Sequence, residues 1–247
     1  MGLPVITGIT PTAPKLIIHG LPGAGKSTLA SKLKRPIFLD FEGGLNYIDC
    51  TRVPVIHDDK TLTTYLLSLF HDAESGKREY DTIVIDSIDW CVRKFEERAA
   101  GIVKENEKTG KVEVDETSTL NKANGGYNGG YYHFETLIKT KFIPRLARLN
   151  ELGYGICLVA HSDRKTLMDA DGIDTDRIAP KIHNKVVNPF IEWADDIFYL
   201  KADGNKRTLV LEGDSNVLAK NRQGLTGEVN VDDIDINELL AGSKKEK

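Results

Sequence analysis

Long apolar runs are missing from this 247-residue chain; none approaches the ~18 residues that a membrane-spanning helix needs. Nor does Met1-Gly2-Leu3-Pro4 open a basic-then-apolar secretory signal, so a cytoplasmic protein without a membrane partner is expected. Cysteine is scarce. Cys50, Cys91 and Cys157 are odd in number, widely spaced and set among apolar residues, which offers no zinc spacing and fits reduced thiols used as small core residues. An excess of positive charge is also missing: 33 Lys and Arg against 37 Asp and Glu give a formal charge of −4. That excludes a globally basic nucleic-acid binder and requires any contact with a polyanion to be local. Internal repeats and domain linkers are absent too. What remains, 40% hydrophobic and 28% charged residues, describes one ordinary globular domain able to bury a full core.

Glycine, by contrast, is concentrated where it matters. Gly20-Leu21-Pro22-Gly23-Ala24-Gly25-Lys26-Ser27-Thr28 fits G-x-x-x-x-G-K-[ST], preceded by the apolar Leu16-Ile17-Ile18 and followed by the helix-compatible Leu29-Ala30-Ser31-Lys32-Leu33. Glycines at these positions let the backbone turn tightly with its N–H groups inward, a cradle for phosphate at the start of a helix. Lys26 is placed to reach β- and γ-phosphate oxygens, Ser27 to ligate magnesium and Thr28 to lie near the α-phosphate.

Along the chain, residues 1–14, with Pro4, Pro11 and Pro14, read as an extended lead-in. A first strand covers 15–19. A second, Ile37-Phe38-Leu39-Asp40-Phe41, ends in Glu42-Gly43-Gly44, which puts Asp40 or Glu42 at a strand's carboxyl end, where open α/β sheets bind ligands. Either acid is a catalytic candidate or a turn-former. Val53–Ile56 reads as an edge strand and 59–70 as a leucine-bearing helix. Ile83-Val84-Ile85-Asp86-Ser87 has the Walker B form, with Asp86 holding magnesium directly or through water. A helix over 88–103 leads to residues 104–134, a mobile insertion by composition. Its glycines carry Tyr127, Tyr131 and Tyr132, which either stack on nucleic-acid bases or dock on the core. A helix over 135–152 bears Lys139 and Lys141, most simply a solvated face. The strand over 155–160 ends at His161, a γ-phosphate sensor or a satisfied strand-end histidine, with Arg164 and Lys165 following. A helix over 182–193 precedes a β-rich part with strands at 196–200, 207–211 and 216–220, and a last helix covers 235–240. Residues 241–247 read as a frayed tail. The domain proper is therefore 15–240.

In this order the pieces resemble the RecA-like branch of the phosphate-loop ATPases. They are most similar to phage nucleotide-binding proteins related to RecA, some of which are single-strand annealing or recombination ATPases. The resemblance rests on Gly20 to Thr28, Phe38-Leu39-Asp40-Phe41-Glu42-Gly43, Ile83 to Ser87, Val159-Ala160-His161 and Ala219-Lys220-Asn221-Arg222-Gln223-Gly224. It implies an α/β fold whose mostly parallel sheet is flanked by helices, and Glu42 as the water-activating base. It also implies Lys220 and Arg222 as cations presented to a neighbour's γ-phosphate in a homo-oligomer. ATP with Mg2+ is the implied ligand pair, and single-stranded DNA the implied partner, touched by Tyr127, Tyr131, Tyr132, Arg164, Lys165 and the Lys139/Lys141 face. Asn121-Lys122-Ala123-Asn124 lacks the acid of the guanine-reading N-K-x-D, which favours ATP over GTP. His161 stands where many of these enzymes use glutamine, and no N-terminal polymerisation domain is evident. Competing expectations are a nucleotide-gated assembly module with little turnover and a ring helicase-like motor; a small-molecule kinase fits the acid and the cations less well.

Overall fold

The computed structural model describes residues 3–5, 7–8, 12–105, 112–115, 117–168, 172 and 174–241. Parts of the expected lead-in and insertion, and the tail beyond 241, lie outside them. In chain order the elements are β1 (Lys15–Gly20), α1 (Lys26–Ala30), β2 (Pro36–Asp40), β3 (Thr51–Arg52), α2 (Asp59–Glu74), β4 (Thr82–Asp86), α3 (Ile88–Ala100), β5 (Val103–Glu105) and β6 (Val112–Val114). They continue with α4 (Gly129–Thr136), α5 (Ile143–Glu151), β7 (Gly155–Met168), β8 (Asp174–Pro180), α6 (Val187–Trp193), β9 (Asp196–Asp203), β10 (Lys206–Val210), β11 (Glu228–Asn230) and α7 (Ile236–Leu240). A π-helical turn, Leu137–Phe142, joins α4 to α5.

One sheet runs β11-β10-β9-β1-β7-β4-β2-β3, with β8 pairing β7. Its centre, β9 through β3, is parallel; β10, β11 and β8 are antiparallel. The apolar runs alternate as a two-faced buried sheet demands. Ile17, Leu39, Ile83, Ile85 and Leu158 face α2, α3, the helices over 129–151 and α6. Leu16, Ile18, Phe38, Val84 and Val159 face α1 and α7. The helices are cut to match. In α3 the buried Ile88, Cys91, Val92, Phe95 and Ala99 recur at helical spacing, and Gly101 ends it in the left-handed region at φ 69°. Asp58 caps α2 by accepting the Thr61 N–H at 2.7 Å. This is the α/β phosphate-loop NTPase fold expected from the motifs.

Several elements differ from expectation. The strand after Gly155 does not stop at Ala160. It continues to Met168 because β8 supplies a new antiparallel partner, from Ser162 opposite Pro180 to Met168 opposite Asp174. Arg164 and Lys165 therefore stand on a hairpin, not in a loop after a strand end. The expected strand over 216–220 is reduced to two single bridges, Val217 with Ile178 and Lys220 with Ile197. Within the expected insertion, β5 pairs β6, and a helix starts at Gly129 and buries Phe134.

His19 is fully buried on β1. Its Nε2–H donates to the Leu218 carbonyl at 2.7 Å, which leaves Nδ1 to accept from the Ser162 hydroxyl at 2.9 Å. Burial, partly offset by the Leu218 hydrogen bond, lowers its pKa to about 4. The unfolded chain therefore binds a proton there that the folded chain refuses, and stability falls as pH drops from about 6.5 toward 4. At pH 5 this single group costs about 2 kcal/mol relative to pH 7.5. Unfolding free energies from urea titrations of the protein and of His19→Gln should diverge by that amount between pH 7.5 and pH 5, since every other titrating group is common to both. Parallel curves would show that His19 is not the cause.

Candidate functional site

The register of the parallel strands gathers the site. Gly20 lies opposite His161, Asp40 opposite Asp86, and Asp86 opposite Val159, so four strand ends meet at one carboxyl edge of the sheet. The loop after β1 needs its glycines for two different reasons. A Cβ on Gly20 would collide with the Leu200 carbonyl of the adjacent β9, whereas Gly23 and Gly25 adopt φ of 76° and 94°, closed to most side chains. The turn is pinned by the Ala24 N–H donating to the Leu21 carbonyl at 3.2 Å. Lys26, buried at the start of α1, donates to the carbonyls of Gly20 and Leu21 at 3.1 and 3.0 Å. Burial lowers its pKa, and Asp86, Glu42 and Asp89 oppose that shift.

A cavity of about 310 Å³ results. Pro22, Gly23, Gly25, Lys26, Ser27 and Thr28 line it from the loop, and Asp40, Glu42, Asp86 and His161 from the other strand ends. Gly20, Leu21 and Ala24 do not line it. The first two contribute the carbonyls that hold Lys26, and Ala24 packs into the core.

The residues present fit a cation at Ser27 and Asp86. Asp86 Oδ2 is buried without a hydrogen-bond partner, and burial raises the carboxyl to about 6, with the Ser27 hydroxyl opposing and Glu42 and Asp40 adding to the rise. A divalent ion would relieve that arrangement. Among the described residues no group of three or more His, Cys, Asp or Glu side chains could hold a metal. The donor set is therefore one that needs phosphate oxygens and water to complete it.

The two acids after β2 have different surroundings. Asp40 is buried, and its Oδ1 accepts the N–H groups of Glu42 at 3.0 Å and Gly43 at 2.7 Å; it shapes the turn. Glu42, presented by that turn, faces His161, with Oε1 to Nε2 at 3.5 Å. The other ring nitrogen lies 2.9 Å from Asp89 Oδ2, and Asp89 Oδ1 accepts the His161 backbone N–H at 3.1 Å. Asp89 was not foreseen in the sequence; the available signal was an acid in the first helical turn after the Walker B strand. Arg207 of β10 was also missed. Its Nε lies 3.7 Å from where a Cβ of Gly25 would stand, a proximity created by the β9–β10 hairpin and invisible in sequence.

A profile of the AAA domain family matches residues 12–223, which takes in the loop, all four strand ends and the cations near the carboxyl-terminal end of the match. The chain belongs to the AAA domain family. This AAA domain is similar to the SPbeta prophage-derived uncharacterized protein YorG of Bacillus subtilis strain 168, with 25% identity over 189 residues. The alignment covers 76% of this chain and 51% of the relative, so the chain spans about half that protein's length. Nucleotide binding by an ATPase-type domain is the activity class that the family gives this cradle.

Elsewhere in this AAA domain the predicted cations and aromatics are partly dispersed. Lys220 bridges to Ile197, and Arg222 pairs with Asp195 at 3.0 Å, next to the first residue of β9. They lie toward the sheet end opposite the phosphate loop, so neither reaches the chain's own cavity. Lys139 pairs with Glu135 at 2.8 Å, and Lys141 lines a separate cavity with Asp59 and Arg98. Tyr127 and Tyr132 are exposed, while Tyr131 packs beside His183 with ring centroids 6.2 Å apart. The structure does bring Tyr131 and Lys165 together. They share the wall of an open cavity of about 940 Å³ with Trp90, Arg93, Lys181 and Lys185, and with the acids Asp89, Glu96 and Asp163. Pro22 and His161 border both this cavity and the nucleotide cradle.

Proposed function

We propose that the chain is a Mg2+-dependent ATPase acting on single-stranded DNA in phage-type recombination or annealing. The observation that carries this reading is the common border of the two cavities. One is the glycine-loop cradle and the other an open groove of mixed charge that carries Arg93, Lys165, Lys181 and Lys185 together with Trp90 and Tyr131, with His161 between them. Lys26 neutralises the β- and γ-phosphates; Ser27 and Asp86 would hold the magnesium, which would supply charge neutralisation on the phosphate oxygens. Glu42 takes the proton of the attacking water as the bond to the ADP oxygen breaks and its electron pair leaves with ADP. Lys220 and Arg222, turned away from their own cradle, act on that of a neighbouring copy. Asn121-Lys122-Ala123-Asn124 lacks the acid that reads guanine, and Lys122, Ala123 and Asn124 line another cavity with His133, which favours ATP. The prophage origin of the similar Bacillus protein supports the phage setting.

The test is ATP turnover with and without single-stranded DNA, paired with anisotropy of a labelled oligonucleotide over a salt series. Stimulated turnover and binding strengthened by a non-hydrolysable analogue are expected. Each phosphate neutralised contributes about −0.7 to the slope of log affinity against log salt, so Lys165→Ala should flatten it by that amount. Tyr131→Ala should instead cost about 1–3 kcal/mol with the slope unchanged. An ATP-competent protein that binds no DNA at low salt would leave the nucleotide-gated assembly module as the better reading.

A further inference from the structure

We propose that Asp89 is a positioning residue for the nucleotide reaction: it clamps His161 so that the imidazole tethers Glu42 at rest and releases it when a γ-phosphate oxygen takes the ring's Nε2–H. The inference rests on the ATPase reading above and adds the control of its base.

The geometry leaves the ring little choice. Asp89 engages His161 twice, through the backbone N–H and through Nδ1, so the residue is fixed both in the chain and about its side-chain torsions. Nδ1 faces a carboxylate oxygen at 2.9 Å and must carry hydrogen to be attracted by it. Nε2 then faces a second carboxylate, Glu42, at 3.5 Å. A neutral ring with its hydrogen on Nδ1 would point a lone pair at that oxygen, whereas an imidazolium satisfies both acids. The 3.5 Å separation is an ion-pair contact longer than a good hydrogen bond, and so easily exchanged for a closer anion.

The surrounding charges agree. The Asp89 hydrogen bond raises the His161 pKa against the effect of burial, Glu42 adds to the rise, and Lys26 opposes it. For Asp89, burial acts upward but is outweighed by the bonds from His161, which hold the carboxyl below its ordinary value. Its place in the first turn of the 13-residue α3 favours the anion further. The charged groups facing the ring are Asp89 from α3, Glu42 from the turn after β2 and Lys26 from α1. Asp163, Lys165 and Lys181 line the adjoining cavity on the hairpin side.

Because His161 borders both cavities, the ring that restrains Glu42 also begins the β7–β8 hairpin. Lys181, the residue after β8 at the open end of that hairpin, donates its backbone N–H to the His161 carbonyl at 2.7 Å. A change of partner at Nε2 is thereby tied to the groove.

The experiment is ¹⁵N NMR of histidine-labelled protein without nucleotide, with the His161 signals assigned by their loss in His161→Gln. The wild-type ring should titrate above the free-histidine value and, once neutral, carry its hydrogen on Nδ1. Asp89→Asn presents an N–H to that nitrogen, so its ring should titrate about one pH unit lower or more and switch to the Nε2–H tautomer. Glu42→Gln should lower the pKa by less and leave the tautomer unchanged. On adding a Mg2+–ATP analogue, the wild-type Nε2 resonance should move while Nδ1 stays. An unshifted titration in Asp89→Asn, or a wild-type ring neutral on Nε2, would overturn the proposal. If Asp89→Asn does not fold, Glu42→Gln and the wild-type tautomer still decide it. Calorimetry of the analogue separates the two readings, since absent binding would remove the ATPase assignment while the tautomer result stood on its own. In turnover, Asp89→Asn should lose kcat with KM little changed, and Asp89→Glu should recover part of it.

Discussion

Lys26→Ala is expected to weaken ATP binding by at least a hundredfold while the protein remains folded. The ammonium lies among Asp86, Glu42 and Asp89, whose charges oppose the lowering of its pKa by burial, and it donates to the carbonyls of Gly20 and Leu21. Without it, the cradle loses the ammonium that sits between these three acids and the polyphosphate, and His161, already engaged by Asp89 and Glu42, is no substitute for it. Loss of charge-assisted hydrogen bonds worth about 1.5–3 kcal/mol each translates to between one and two decades of affinity per bond. The fold should tolerate the change because the core on both faces of the sheet is built without this side chain's head group. Calorimetric titration with a non-hydrolysable Mg2+–ATP analogue, alongside circular dichroism, checks both halves. Unchanged affinity in a folded variant would sink the assignment of the cradle.

Glu42→Gln should behave in the opposite way, keeping nucleotide and losing turnover by about 10²–10⁴-fold. The amide can still orient a water molecule but cannot accept its proton. Asp40→Asn is the control that makes this decisive. Asp40 accepts two backbone N–H groups through one oxygen, a task an asparagine carbonyl can share, so its substitution should loosen the turn and reduce the rate modestly. Single-turnover measurements at saturating ATP separate binding from chemistry. If Asp40→Asn abolishes turnover and Glu42→Gln does not, the two acids have been assigned in the wrong order.

Much of this site is legible along the chain because it is local. Gly20 to Thr28 carries its own turn chemistry, and the strand at Ile83 to Asp86 announces an acid at its end by its apolar run. What eluded the sequence depends on pairing between distant segments. His161 looked like the last residue of a strand, and only the arrival of β8 extends that strand into a hairpin. The tyrosines looked alike among their glycines. Tyr131 docks near His183 because the helix starting at Gly129 points it inward, and that same helical turn leaves Tyr132 exposed.

The sequence by itself determined the phosphate-loop motif and the fold class, and it put Asp40 and Glu42 at one strand end without choosing between them, since periodicity, glycine placement and strand ends are properties of neighbouring residues. Tertiary structure decided which of those groups meet. The parallel register set Asp40 beside Asp86 and Gly20 beside His161, and α3 brought Asp89 to the imidazole from 72 positions away. It also carried Lys220 and Arg222 to the far end of the sheet from their own loop. The physical reason is that strand order and register are fixed by burying both faces of the sheet at once. That constraint acts on the whole chain and leaves no mark at any single residue.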